Sequence, residues 1–189
     1  MTVSQLSPSL EHKVTDLITV FNRLFMPALN TELVKGDDEP IYLPASDDYP
    51  HHRIIFAHGF FSSALHEISH WCVAGAKRRT LEDFGYWYKP DGRTEEEQAL
   101  FEKVEIKPQA LEWILHQACG LKFHFSADNL DAGLGASAQF KHNVLQQVCT
   151  YLEDGVDSLP ARHQSLVRAL AEQYGQPLPL AKDFSLNGK

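Results

Sequence analysis

Arg53-Ile54-Ile55-Phe56-Ala57-His58-Gly59-Phe60-Phe61-Ser62-Ser63-Ala64-Leu65-His66-Glu67-Ile68-Ser69-His70-Trp71-Cys72-Val73 is the stretch that decides the fold. Its first five residues are β-branched or apolar and end at His58-Gly59, which predicts a strand closed by a turn. A helix follows, with Ser62 or Ser63 as its expected cap and apolar residues at Ala64, Leu65, Ile68, Trp71, Cys72 and Val73. Gly75 is its expected stop. Inside this helix lies His66-Glu67-Ile68-Ser69-His70, a His-Glu-x-x-His sequence. Residues four apart on a helix are turned by about 40° and separated by about 6 Å along the axis, so both imidazoles face one point. That geometry lets one metal ion take both, with a third ligand supplied from elsewhere.

Upstream, Leu10, Val14, Leu17, Ile18 and Phe21 recur at helical spacing, predicting an amphipathic helix from about Ser9 to Phe25. Short strands are expected at Thr31 to Lys35 and Pro40 to Pro44, with Gly36, Asp37 and Asp38 between them. Downstream, the basic run Lys77-Arg78-Arg79 precedes the aromatic run Tyr86-Trp87-Tyr88. Thr94 and Glu97 form a capping box for a helix carrying Leu100, Phe101 and Val104. Pro108 either kinks this helix or starts another one through Trp113. A short strand is expected from Leu121 to Phe125. Two closing helices, Ser137 to Leu152 and Pro160 to Tyr174, follow, the second capped by Ser158. The tail after about residue 176 is expected to be loosely packed. The whole, residues 1–189, reads as one helix-dominated α+β domain with a small sheet.

Composition narrows the function classes. With 43% hydrophobic and 22% charged residues, 189 residues can bury a core without disulfides or a structural metal. Seventeen Lys plus Arg against 25 Asp plus Glu give a formal charge of −8, which argues against nonspecific nucleic-acid binding and anionic membranes. No apolar run is long enough to span a bilayer, and Glu11, Lys13 and Asp16 interrupt any signal-like core, so the expectation is a cytoplasmic protein. Cys72, Cys119 and Cys149 lack Cys-x-x-Cys spacing and read as reduced, mostly buried thiols.

The third metal ligand is sought among carboxylates. Positions 73 and 76 are Val and Ala, so no further histidine follows at metzincin spacing. Glu95, Glu96 and Glu97 fall in a first turn, where acidic charge complements the helix dipole. Glu105, bracketed by Val104 and Ile106, is preferred, with Glu102 in reserve. A site of this kind supports two chemistries. With zinc, Glu67 acts as general base for peptide hydrolysis, giving a small gluzincin-like metallopeptidase. With ferrous iron, the open positions support oxygenation. Tyr86, Trp87 and Tyr88 are candidates for a substrate groove or for core packing. Lys77, Arg78 and Arg79 are either a solvated helix exit or a docking patch for an acidic protein. His51, His52 and His58 flank the strand, and His52 or His58 is a candidate neighbour of the site.

Beyond the five-residue motif, the sequence resembles the bacterial elongation factor P hydroxylase family. The resemblance is carried by Arg53-Ile54-Ile55-Phe56, by Ser63 through Gly75, by Asp83-Phe84-Gly85-Tyr86-Trp87-Tyr88, by Pro90-Asp91-Gly92-Arg93, and by Phe101-Glu102-Lys103-Val104-Glu105-Ile106-Lys107-Pro108-Gln109-Ala110-Leu111-Glu112-Trp113. It implies a monooxygenase that hydroxylates the β-lysylated lysine of translation elongation factor P, the final step of that modification. It further implies a zincin-like scaffold holding one divalent metal, Fe(II), through His66, His70 and Glu105, with molecular oxygen as cosubstrate. Glu67 then neighbours the metal rather than serving as a peptidase base. No electron donor is implied. No His-x-Asp with a distant His suggests the usual 2-oxoglutarate barrel.

Overall fold

A helix whose residues Leu17, Val20, Phe21 and Phe25 all lie on one buried stripe opens the described chain as α1 (Val14–Leu29). The computed structural model describes residues 12–37, 39–84, 93–126 and 136–186. α1 runs past the expected end at Phe25, because Pro27 sits in the last turn and removes only one backbone bond there. Asn30 then closes it in the left-handed region, φ 50°, donating its backbone N–H to the Met26 carbonyl.

Three short strands follow, β1 (Thr31–Lys35), β2 (Ile41–Leu43) and β3 (His52–Phe56), in the order β1-β3-β2. β1 pairs parallel to β3 with Leu33 opposite Ile54, and β2 pairs antiparallel to β3 with Tyr42 opposite Ile54. Alternation sends Leu33, Ile54 and Phe56 into the core. Tyr42 also forms an isolated bridge with Asp83, which ties the segment after the metal-motif helix back to the sheet.

The turn after β3 differs in detail from the sequence expectation. His58 and Gly59 both take positive φ, 56° and 70°, so the chain reverses within two residues. At Gly59 the positive φ is what favours glycine; a Cβ would meet only the far end of the flexible Lys35 side chain, at 2.5 Å, which can move aside. α2 (Phe61–Val73) therefore begins at once, with extended Phe60 at its N-cap and no side-chain cap. Ser62 and Ser63 fall inside the first turn instead of capping it.

α3 (Glu95–Ala118) spans 24 residues, about 36 Å. The capping box forms: Glu97 N donates to Thr94 Oγ1 at 3.2 Å, and Thr94 N donates to Glu97 Oε2 at 2.8 Å. Pro108 lies within one continuous helix, which settles the choice between a kinked helix and a new one. α4 (Ala138–Tyr151) lies within the expected span, with Ser137, read from the sequence as its first residue, serving as its N-cap. α5 (Ala161–Gln173) starts after Pro160, and Ser158 accepts from the Asp154 N–H rather than capping the helix. α3 packs against α2, α4 and α5, while α1 lies on β1 and α5.

One expectation needs correction. Residues 121–126 form no strand. Phe123 and Phe125 pack on Trp113 at ring separations of 5.3 and 5.2 Å, so aromatic contact replaces sheet pairing. The segment after residue 176 is held at Phe184, which is buried against the same Trp113. An apolar ring at the end of a polar tail supplies the anchor that composition averages away. Cys72 and Cys119 are buried, and burial pushes both thiols up to about 12; Cys149 is exposed. Among the described residues no helix is long and apolar enough to cross a membrane.

Candidate metal centre

α2 and α3 meet across the core, and their contact faces carry an unusual content for an interior. A helix buried in a core usually shows aliphatic residues at its inward positions. α3 instead places Glu105, Gln109, Glu112 and His116 inward, at steps of four, three and four, with exposures of 3, 0, 7 and 2%. Polar groups so deeply buried are tolerated only when partnered.

Each has its partner. Glu105 Oε1 lies 3.2 Å from His70 Nε2, and Glu105 Oε2 lies 4.0 Å from His66 Nε2. Gln109 Nε2 approaches Glu105 Oε2 at 3.4 Å and donates to the Ser126 carbonyl at 2.7 Å, so Gln109 ties the segment after α3 to the site. Glu112 Oε2 is 2.8 Å from His66 Nδ1. His116 Nδ1 lies 3.0 Å from the Glu112 carbonyl and its Nε2 lies 3.2 Å from Ser62 Oγ. Burial lowers the His116 pKa, which keeps that ring neutral and lets it link α3 to the first turn of α2.

His66 Nε2 and His70 Nε2 stand 3.0 Å apart. Two such nitrogens cannot present lone pairs to each other without a proton or a cation between them. A carboxylate only accepts, so Glu112 requires the proton of His66 on Nδ1 and leaves Nε2 turned toward His70 and Glu105 as a donor atom. Donors each about 2.1 Å from one ion are at most about 4.2 Å apart. The separations of 3.0, 3.2 and 4.0 Å fit within that limit. His66, His70 and Glu105 form the only group of three such donors found among the described residues, all within 4.8 Å of one another. Two imidazoles and a carboxylate on one side of a cation leave its other positions open, the donor set of non-heme iron oxygenases.

The electrostatics favour positive charge here. Burial works against a charged His66, yet the Glu112 carboxylate and its hydrogen bond, with Glu105 and Glu67, outweigh it and hold the imidazole well above its ordinary value. Burial likewise opposes an ionised Glu105, but His70, His66 and Gln109 outweigh it and bring the carboxyl down to about 2. Burial raises Glu67, against the pull of both histidines.

Of the sequence-derived candidates, His66, His70 and Glu105 converge. Glu102 does not: its two oxygens accept from Ser137 N at 3.1 Å and Ser137 Oγ at 2.7 Å, fastening the start of α4. Glu67 lies beside His70 along a cleft, outside the donor group. His52 accepts from the Ala45 N–H and stacks on Tyr42, and His58 forms the turn, so neither contributes a donor. Arg78 pairs with Asp83, and Arg79 donates to the Ala74 carbonyl at the end of α2. Tyr86, Trp87 and Tyr88 lie outside the described residues. Sequence reasoning missed Gln109, Glu112 and His116. The signal was present as polar residues at steps of four, three and four along the face of α3 that otherwise carries Phe101, Leu111, Leu115 and Ala118.

Comparison with known proteins bears on the chain as a whole. The family model of elongation factor P hydroxylase matches residues 20–184. A protein of Haemophilus influenzae called elongation factor P lysine hydroxylase is 58% identical over 165 residues, covering 87% of this chain and 91% of that protein. With α2, α3 and their donor residues all inside the matched region, the chain belongs to the elongation factor P hydroxylase family.

Proposed function

We propose that this protein hydroxylates the β-lysylated lysine of elongation factor P in the cytoplasm, using molecular oxygen at one divalent metal, Fe(II), held by His66, His70 and Glu105. The observation that carries the reading is the convergence of those donors from two helices, with Nε2 to Nε2 at 3.0 Å and Nε2 to carboxylate at 3.2 Å. Bound ferrous iron would supply the activation of dioxygen at its open positions. The chain's own residues do the rest. Glu112 orients His66 and Gln109 steadies Glu105, on two helices anchored by the fully buried Leu65, Ile68 and Leu111. One continuous buried core supports treating the chain as a single domain, with α2 as a zincin-like metal-binding helix. Family membership weighs against the zinc peptidase reading of the same motif.

The test has two readings. Metal analysis of protein purified without added metal should find iron near one per chain, lost in His66→Ala and His70→Ala. Mass spectrometry of β-lysylated elongation factor P incubated with the protein in air and a reductant should find one added oxygen. Peptide cleavage in place of oxygen addition, or unchanged metal content in both variants, would overturn the proposal.

A further inference from the structure

Glu105, Gln109 and Trp113 stand four residues apart along α3 and share one face of it. The segment after α3 touches that row at two neighbouring positions. The rings of Phe123 and Phe125 pack on Trp113 and, 5.0 Å apart, on each other. One residue further, the Ser126 backbone meets both polar groups of the Gln109 side chain. Gln109 Nε2 donates to the Ser126 carbonyl at 2.7 Å, and Ser126 N donates to Gln109 Oε1 at 3.3 Å. Nε2 also faces Glu105 Oε2 at 3.4 Å.

This pairing removes a freedom that a side-chain amide otherwise has. Turned over, Gln109 would set its carbonyl oxygen against the Ser126 carbonyl and the Glu105 carboxylate, and its amide protons against the Ser126 N–H. Like groups would face like at every contact. Gln109 is fully buried, so water cannot relieve them. The Ser126 backbone therefore dictates that Gln109 turns a donor toward Glu105. With Oε2 engaged in this way, Oε1 lies beside His70 Nε2 at 3.2 Å.

We infer that Gln109 is a positioning residue through which the seating of residues 121–126 on α3 sets the orientation of the Glu105 carboxylate, so that this segment and cation binding are linked. Such linkage is reciprocal: the seated segment favours binding, and a bound cation favours the seated segment by the same factor. Phe123 and Phe125 thereby act on the donor cluster without touching it. The inference rests on the metal site proposed above, since it takes Glu105 as a ligand.

The test uses Co(II) as the probe ion, titrated into the full chain and followed by its visible absorption. Gln109→Met nearly keeps the volume but offers neither amide group, and is expected to bind Co(II) about ten-fold or more weakly, with a shifted absorption band. Phe125→Ala loosens the segment from its aromatic end. It should weaken Co(II) binding by itself and add nothing further in Gln109→Met. Phe184→Ala removes a different ring from the same Trp113, and should lower the melting temperature while leaving Co(II) affinity unchanged. Hydrogen exchange of the Ser126 amide should slow when Co(II) binds, and the slowing should vanish in Gln109→Met. Equal Co(II) affinity and spectrum in Gln109→Met and the unaltered protein, or additive effects of Phe125→Ala and Gln109→Met, would overturn the inference. So would equal losses of affinity in Phe125→Ala and Phe184→Ala. Should Gln109→Met fail to fold, Ser126 exchange in the unaltered protein still decides, because a rate indifferent to Co(II) refutes the linkage. Co(II) binding retained in Glu105→Gln would instead remove Glu105 from the metal site, and the inference with it. Linkage found in a protein that adds no oxygen to the factor would sink the hydroxylase reading alone.

Discussion

Glu112 Oε2 stands 2.8 Å from His66 Nδ1, two helical turns beyond Glu105 on the same face of α3. One helix thus supplies both a carboxylate for the donor cluster and the carboxylate that orients an imidazole of the cluster. Glu112→Gln keeps an acceptor at that distance, but its amide can also turn a donor toward Nδ1 and favour the other tautomer. Metal affinity is expected to fall about 10- to 100-fold. A competitive chelator titration of Glu112→Gln and Glu112→Ala against the unaltered protein measures it, and equal affinities would show that Glu112 does not position the ligand.

Glu102 and Glu105 separate a structural carboxylate from a site carboxylate on the same helix. Glu105→Gln should abolish stoichiometric metal binding. Glu102→Gln should leave it intact and weaken the protein by about 0.5–1.5 kcal/mol through the contacts to Ser137. Metal analysis together with denaturant unfolding of the two variants reads both effects, and the opposite pattern would exchange their roles.

Acid should weaken the fold through His163. This ring is fully buried on α5, and burial pushes it down to about 3, with the Leu111 carbonyl pulling weakly the other way. The unfolded chain therefore binds a proton below about pH 6.5 that the folded chain refuses. Stability is full above that value and falls as the pH drops toward 3, by at most about 1.4 kcal/mol per pH unit. His116, also lowered by burial, adds to the same slope just below pH 6.5. Glu105 acts only from about pH 4.5 downward, because its folded carboxyl titrates at about 2. Between pH 6.5 and 4.5 Glu67, raised by burial, acts in the opposite sense, so the share of His163 is read as the difference between the unaltered protein and a variant lacking that ring. Urea unfolding across this range should show a shallower slope for His163→Leu, and parallel curves for the two proteins would refute the assignment.

Phe184 anchors the C-terminal segment on Trp113, with ring centroids 5.4 Å apart. Phe184→Ala should cost about 3 kcal/mol, at the low end for a buried aromatic because the ring lies at the edge of the core. Thermal or chemical unfolding measures the loss, and a change below about 0.5 kcal/mol would mark the segment as unanchored.

The local rules recovered what is local. The spacing of His66 and His70 puts both rings on one side of a helix whatever surrounds it, since 3.6 residues per turn is a property of the backbone. The Thr94–Glu97 box and the β-branched run of β3 are decided within a few residues in the same way. The resemblance to a family, carried by blocks from Arg53 to Trp113, pointed to Glu105 as the third ligand. What only the tertiary structure decided is how α2 and α3 come together. His66 meets Glu112 across 46 positions of chain, and Ser62 meets His116 across 54. No periodicity within either helix specifies that approach, because it is the sum of many packing contacts among Leu65, Ile68, Leu111 and Leu115. The same approach turned Ser62 from an expected cap into a link, while the packing of α4 on α3 drew Glu102 to Ser137.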